Sequence, residues 1–373
     1  MRFAFALLGA VVVLFGKGVP LSGEAISEPK IPSRPELLQA AVGQLIKIQE
    51  DGGLWPYEGV HRVRGQIPIG YRVGGTAIVA DTLLQAAPDN KEARTAIAKA
   101  LSYVLKGLED PAMAPSTESR YDVRVWGHSY ALEFFCHLRA ARAAGGHASA
   151  VEAWIPKLVA TLVTEEIPGG GWNYAGRQRQ ASFVTAPVTQ SLLLARSQGE
   201  KVPDEVLERA RKVLEGSRTS EGGFAYSGAA KEANVRSQLP GSIARSAVCE
   251  TTLVLLGGGS TDAIRAAIEA FHKHWDELKK RHQQPQTHKP PYGIAPYYFY
   301  YGHRYAAQAI EMLPEEARQT ERDRLLEVIL RTREEDGTWN DRVFPRSKNY
   351  GTAMVVLALL ADKAPLPPRF DKK

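Results

Sequence analysis

Cysteine is scarce in this chain, which has only Cys136 and Cys249 among 373 residues. Small disulfide-stabilised folds need cysteines at much higher density. A chain of this length can bury a core without covalent cross-links. Both cysteines lie inside apolar stretches, far apart in the sequence, so we predict two buried free thiols and no disulfide.

Neither sign of charge dominates, and long apolar runs are missing after the N-terminal segment. The formal net charge is +6, from 47 basic and 41 acidic residues spread along the chain. Such dispersion disfavours nucleic-acid binding, which needs a concentrated basic surface. The densest basic stretch, residues 279–289, is typical of a solvated loop. Beyond residue 25, no segment is apolar for long enough to cross a membrane.

Residues 1–25 have the layout of a secretory signal peptide. Arg2 is followed by an apolar stretch from Phe3 to Phe15 and then by small and polar residues. The apolar stretch is too short to span a bilayer comfortably. We therefore predict an exported protein, periplasmic or extracellular, with an uncleaved N-terminal anchor as the alternative.

The chain does contain a recurring loop in which glycine precedes an aromatic residue. The copies are GGLW at 52–55, GGGW at 169–172, GGF at 222–224 and DGTW at 336–339. Glycine just past a helix can adopt the left-handed conformation that closes the helix, and the aromatic side chain can wedge between neighbouring elements. Four copies, each between an amphipathic and an apolar run, indicate a repeat architecture.

Amphipathic and more apolar helical runs alternate six times, with a period of about 57 residues. The second run of each pair is apolar on every side, which is typical of a buried helix. Six helix pairs predict an all-α fold, an (α/α)6 toroid over residues 26–363, with an inner ring of buried helices inside an outer ring. An open superhelical solenoid is the alternative. The predicted repeats span residues 36–87, 92–145, 150–198, 203–258, 262–313 and 318–362, and a C-terminal tail spans 364–373.

The segment from Gln49 to Trp55 matches the pattern QxxxGxW at every fixed position. The chain therefore resembles the α/α-toroid family of squalene and hopene cyclases and protein prenyltransferase β subunits. The later copies depart from that pattern, because Glu166, Arg218 and Arg333 stand at the glutamine position and the second and fifth repeats lack the loop. The resemblance covers nearly the whole mature chain and implies the toroid fold.

The catalytic motifs that this resemblance implies are missing. Terpenoid cyclases of the family protonate an alkene with DxDD, and DDxxD binds diphosphate and magnesium, but neither motif occurs here. The zinc ion of protein prenyltransferases is held by Asp, Cys and His. Cys136 and His137 are adjacent, so their side chains diverge on a helix, and Cys249 has no histidine nearby in sequence. We predict no metal site and no cofactor.

The second and fifth repeats share a motif of their own, aromatic-Gly-His-x-Tyr-Ala, at residues 126–131 and 301–306. In a closed ring of six these repeats lie opposite each other, so we expect the two His-Tyr pairs to face each other across the central cavity. Imidazole and phenol groups can transfer protons. The alternative is a packing role, in which these groups bind loop carbonyls and hold the ring closed. The predicted catalytic residues are His128, Tyr130, His303 and Tyr305.

Aromatic and charged residues around this motif are the predicted ligand-binding residues. Side chains of these types can bind either an apolar ring or a charged group of a ligand. The set comprises Arg124, Trp126, Arg245, Glu250, Tyr298, Tyr301, Arg304 and Tyr350.

Three functions stay open on this basis. The first is an exported toroid that binds a small-molecule, isoprenoid or glycan ligand, or a partner, in its central cavity without a cyclase acid. The second is an enzyme of the polysaccharide-lyase type, a class that also uses α/α toroids, in which an arginine neutralises a uronate carboxylate and a His or Tyr abstracts the adjacent proton. The third is a divergent terpenoid cyclase, favoured by the aromatic run Tyr297–Tyr301 because aromatic faces stabilise carbocations.

Overall fold

The computed structural model describes residues 32–118, 121–174, 176–231 and 234–370. Residues 1–25, the predicted signal peptide, lie outside the described residues. The described part contains thirteen α-helices and no strand, and residues from Arg34 onward form one compact unit. Cys136 and Cys249 are buried free thiols. None of the described helices has the length and apolar character that a membrane span needs.

The helices alternate between outer and inner positions along the chain. The outer helices are α1 (Arg34–Lys47), α3 (Lys91–Leu108), α5 (Ala148–Thr164), α7 (Asp204–Ser217), α9 (Thr261–Lys273) with the short α10 (Trp275–Lys279), and α12 (Glu315–Leu330). The inner helices are α2 (Ile69–Ala86), α4 (Arg124–Ala141), α6 (Ser182–Ser197), α8 (Leu239–Leu255), α11 (Phe299–Ile310) and α13 (Ser347–Leu359).

The inner helices form a closed ring. Each packs against the next one in the series, and α13 packs against α2, which completes the circle. Outer helices pack on the outside of this ring, for example α3 on α2, α5 on α4 and α9 on α8. The predicted (α/α)6 toroid is confirmed, and closure of the ring excludes the open solenoid.

Three buried tryptophans each connect one outer helix to the inner helix that follows it. The indole N–H donates to a carbonyl in the last turn of the outer helix, where carbonyls lack an intrahelical partner. The backbone N–H of the same tryptophan donates to a threonine hydroxyl on the inner helix. The indole bonds join Trp55 to Leu45 (2.8 Å), Trp172 to Leu162 (2.7 Å) and Trp339 to Ile329 (3.0 Å). The threonines are Thr76, Thr185 and Thr352.

The glycines before these tryptophans adopt the left-handed conformation predicted for them. Gly53 has φ 88° and Gly170 has φ 115°. A Cβ atom on Gly53 would lie 2.7 Å from backbone atoms of Lys99, so the loop also needs glycine for its close approach to α3.

Side chains fill the middle of the ring. The hydroxyl groups of Tyr130 and Tyr305 lie 3.3 Å apart, although they come from helices on opposite sides. One turn further along, Arg304 donates to Glu133 across the ring at 2.5 Å. Among the described residues, these contacts fill the axis at its centre, so a ligand on the axis has to bind at one of its two ends.

Replacing Trp172 by Phe should lower the free energy of unfolding by about 1–3 kcal/mol, because the carbonyl of Leu162 loses its donor in a buried position. Urea denaturation measures this change. The control is Trp154→Phe on the half-buried face of α5, where Lys157 lies over the ring. We expect a much smaller loss there, and equal losses in the two variants would contradict a special role for the Trp172 indole.

Candidate functional site at the mouth of the ring

The loops that lead into the inner helices meet at one end of the ring, which we call the mouth. An aromatic shell from these loops and from the first turns of the inner helices covers this end. Neighbouring rings contact each other around the shell, with centroid separations between 4.5 and 5.5 Å. These contacts include Tyr57–Tyr71, Tyr71–Trp126, Tyr57–Tyr350, Tyr121–Tyr174, Phe183–Tyr226, Tyr226–His288 and Tyr297–Tyr298.

The hydroxyl groups of the aromatic shell form hydrogen bonds with one another. Tyr71 and Tyr121 lie 3.3 Å apart at their hydroxyl oxygens, and Tyr174 and Tyr226 lie 2.5 Å apart. Tyr297 is 3.3 Å from Nε2 of a histidine, His288. The mouth thus presents ring faces and polar edges together.

A polar trio consists of Tyr57, whose ring belongs to this shell, and of Asp341 and Arg342 on the inner side of the shell. The Tyr57 hydroxyl donates to Oδ2 of Asp341 at 3.2 Å. The other carboxylate oxygen, Oδ1, is buried and has no hydrogen-bond partner among the described residues, and the same is true of Nε and Nη2 of Arg342. Buried charged groups without partners are costly and rare, so atoms of this kind mark a site where a ligand group can bind.

Burial raises the pKa of Asp341 to about 7, although the Arg342 charge and the hydrogen bond from Tyr57 act in the opposite direction. Burial and the charge of Asp341 together raise the pKa of Tyr57 well above its usual value. At neutral pH the carboxyl group of Asp341 can therefore both accept and donate a proton, while Tyr57 keeps its own.

The sequence analysis did not predict the trio, although a fixed spacing in the glycine-aromatic loops points to two of its members. In each glycine-aromatic loop the aromatic residue is buried in the ring wall, and the residue two places later reaches the mouth. Three of the four loops have tyrosine at that place, and the fourth has aspartate. The pairs are Trp55 with Tyr57, Trp172 with Tyr174, Phe224 with Tyr226 and Trp339 with Asp341.

The predicted catalytic histidines do not face each other. His128 lies with Nδ1 2.9 Å from Glu165 and Nε2 2.9 Å from the carbonyl oxygen of Met113. His303 accepts at Nε2 from the indole of Trp275 at 2.9 Å, on the outer side of the ring. Burial lowers the pKa of His303 to about 3, so its ring stays neutral. The expected pairing of the two histidines across a cavity is therefore wrong.

The predicted catalytic tyrosines do meet, since the hydroxyl groups of Tyr130 and Tyr305 lie 3.3 Å apart on the axis. Both are buried below the aromatic shell. Catalysis by these tyrosines and by the two histidines stays a prediction, and their surroundings favour the packing alternative.

The predicted ligand-binding residues also divide into two groups. Trp126, Tyr298, Tyr301, Arg304 and Tyr350 belong to the aromatic shell or to the filled axis below it. The charged groups of the other three form hydrogen bonds with other residues of the protein. These pairs are Arg124 with Asp122, Arg245 with the carbonyl of Phe224, and Glu250 with Arg218.

No protein-family model matches the chain, and no curated protein is similar to it in sequence. Its fold is shared with solved toroid structures. The type II terpene cyclase MstE from Scytonema has a TM-score of 0.54 at 17% identity, covering 88% of this chain and 99% of that one. A GH76A α-1,6-mannanase variant of Salegentibacter sp. HEL1_6 with bound α-1,6-mannotriose has a TM-score of 0.58 at 12% identity, covering 88% and 100%.

A D-mannose isomerase is similar to the same extent, with a TM-score of 0.55, 12% identity and coverage of 90% of this chain and 100% of that one. These proteins differ in what their names say they act on. At such identities the similarity shows the toroid fold alone, so the chemistry of this chain has to be argued from its own residues.

Changing Asp341 to Asn should make the protein more stable at pH 8 by about 4 kcal/mol and leave it nearly unchanged near pH 4. The folded protein holds a proton between pH 3.8 and about 7 that the unfolded chain releases, so wild-type stability falls as the pH rises through this window. Urea denaturation at several pH values measures the effect.

The control for this pH series is Asp362→Asn. In the wild type, the hydrogen bond and the charge of Arg34 lower the pKa of Asp362. The Asp362→Asn variant should therefore be less stable than wild type at pH 8. A D341N curve parallel to wild type at all pH values would contradict a raised pKa at Asp341.

Replacing both His128 and His303 by Ala should lower the free energy of unfolding by about 3 kcal/mol or more, because buried partners lose their hydrogen bonds. Thermal melting measures the loss. His147→Ala is the control, since this ring makes an exposed contact with Ser102 and should contribute little. Unchanged melting of the double variant would argue against the packing role.

Proposed function

We propose that the mouth binds a saccharide that carries a carboxylate, such as a uronate unit, and that Arg342 pairs with this carboxylate. The observation that carries the proposal is the buried guanidinium of Arg342, whose Nε and Nη2 find no hydrogen-bond acceptor in the described part of the chain, next to Asp341, whose Oδ1 finds no donor there. Two N–H groups on one edge of a guanidinium match the two oxygens of a carboxylate.

The aromatic shell suits a sugar ring. Its faces can pack against the C–H surface of a saccharide, while the tyrosine hydroxyls can exchange hydrogen bonds with sugar hydroxyls. Tyr121, Tyr174, Tyr226 and Tyr297 are only half-buried, so part of each ring is accessible at the mouth.

Positive charge around the mouth supports an acidic ligand over a neutral one. Five exposed basic residues on the mouth loops make no ion pair with any carboxylate in the described part of the chain. Unpaired charge of one sign around a binding site raises the local concentration of ligands of the opposite sign. These residues are Arg64, Arg179, Lys231, Arg236 and Lys289.

The trio can carry out a β-elimination on such a ligand. Arg342 neutralises the carboxylate, which makes the neighbouring C–H more acidic, and the ionised carboxylate of Asp341 accepts that proton. The C–H electron pair forms a C=C bond while the C–O bond to the leaving sugar breaks. The leaving oxygen takes the Tyr57 proton, and Asp341 returns the abstracted proton to Tyr57.

Ligand entry requires part of the mouth to open, because Asp341 and Arg342 are almost fully buried. Loop 58–66 is the segment that we expect to move. It is held by the guanidinium of Arg62 over the ring of Phe344 and by the ring of His61 against Tyr121.

The terpenoid alternative is less well supported. An acid with a pKa of about 7, the value of the buried Asp341, is too weak to protonate an alkene. The mannanase chemistry does not transfer directly either, because its inactive variants are changed at two consecutive aspartates and this chain has no such pair.

The test uses the full chain with oligosaccharides that contain uronate and with neutral mannose oligosaccharides. Binding is measured by calorimetry, and elimination by the absorbance of the unsaturated product. We expect uronate ligands to bind, R342K to bind about tenfold more weakly or worse, and D341N to bind without turnover. The export predicted from residues 1–25 would bring the protein into contact with such glycans.

The matched control is Arg322→Lys on α12, where the guanidinium pairs with Glu311 far from the mouth. It should bind and turn over like wild type. Equal binding of neutral and uronate ligands, or an R342K variant indistinguishable from R322K, would overturn the proposal. If the wild type binds uronate ligands without turnover, the result would support the carboxylate-binding site and contradict the elimination step.

A further inference from the structure

A second polar cluster lies on the ring axis at the opposite end, where the inner helices end. Asp81 comes from α2, and Glu133 and His137 come from α4, one turn apart on the same face. One oxygen or nitrogen atom of each of these three side chains lies within 4.8 Å of the others. Acidic side chains are seldom buried unless they are paired, and here Asp81 is only 3% exposed.

Each carboxylate of this cluster has one oxygen held by a neighbour. Gln85 donates to Oδ2 of Asp81 at 2.8 Å, and Arg304 donates to Oε1 of Glu133 at 2.5 Å. The other oxygen of Asp81, Oδ1, lies 2.7 Å from Nδ1 of His137. Metal-binding carboxylates are commonly oriented in this way, by a hydrogen bond to the oxygen that does not bind the ion.

A small pocket of about 80 Å³ adjoins the cluster. Its other walls are Gln190 and Gln308, and residues 364–367 of the C-terminal tail cover it. The tail is fixed beyond this point, because the backbone N–H of Phe370 donates to the carbonyl of Leu255 at 2.8 Å. An ion at the cluster would therefore have room for water or for a further ligand on its pocket side.

We propose that Asp81, Glu133 and His137 bind one divalent transition-metal ion. Two carboxylates and one imidazole suit zinc and similar ions, whereas calcium and magnesium prefer oxygen ligands alone. The ion would take the place of the proton between Nδ1 of His137 and Oδ1 of Asp81, and that proton would be released to solvent. The expectation of no metal site rested on Cys136 beside His137, whereas the residue of α4 that joins His137 and Asp81 in the cluster is Glu133, four residues before His137.

The full chain, purified without a histidine tag and stripped with a chelator, should bind Zn²⁺ with one site per chain by calorimetry. Co²⁺ in its place should give visible absorption bands of a protein-bound ion. His137→Gln and Asp81→Asn should each weaken Zn²⁺ binding at least tenfold and remove the Co²⁺ bands. Circular dichroism checks that the variants fold, and Glu133→Gln, which can still hydrogen-bond to Arg304, replaces any variant that does not.

The matched control is His272→Gln, because His272 also lies beside an acid, Glu321 at 3.5 Å, but between the outer helices α9 and α12, away from the axis. It should bind Zn²⁺ and Co²⁺ like wild type. Absence of binding, or equal binding by His137→Gln and His272→Gln, would show that the cluster is an ion pair with adventitious metal only. Neither result bears on the mouth, which lies at the other end of the ring.

Discussion

The toroid depends on one repeated constraint, the pair of hydrogen bonds made by each buried loop tryptophan. The indole satisfies a carbonyl at the end of an outer helix, and the backbone of the same residue is bound by a threonine of the next inner helix. One residue thereby fixes how two successive helices pack. It also fixes the position of the chain just beyond it. Asp341 follows Trp339 by two places, as Tyr57 follows Trp55, and the two side chains therefore meet at the same end of the ring.

The centre of this ring is filled by side chains, which affects both the stability of the ring and the places where a ligand can bind. The contact between Tyr130 and Tyr305 and the ion pair of Arg304 with Glu133 join opposite helices, so the ring is stabilised from inside as well as by its outer helices. The same contacts lie between the two ends of the axis in the described part of the chain. Unusual polar groups occur at both ends, and each end therefore needs its own chemical explanation.

The fold could be predicted because it follows from periodic features, the helix pairs and the glycine-aromatic loops. The site was predicted only in part, and the histidines show why. An α-helix turns by about 100° per residue, so His128 and Tyr130 point about 200° apart and cannot both face the axis. Once Tyr130 is inside, His128 must turn to the outer layer. Asp341 lies in an irregular loop, where helical periodicity gives no orientation and only comparison of the repeats singles it out.

Two buried arginines near the mouth show that the free donors of Arg342 are not forced by the fold. Arg245 is 1% exposed and Arg342 is 2% exposed. The guanidinium of Arg245 donates to the carbonyl oxygens of Phe224 and Gly241, so loop carbonyls can satisfy an arginine buried at this end of the ring. Arg342 has two donors without such partners in the part of the chain that the structure describes, beside a carboxyl group whose pKa is raised to about 7. A costly arrangement that a few carbonyls could have relieved is better explained by a bound anion than by packing.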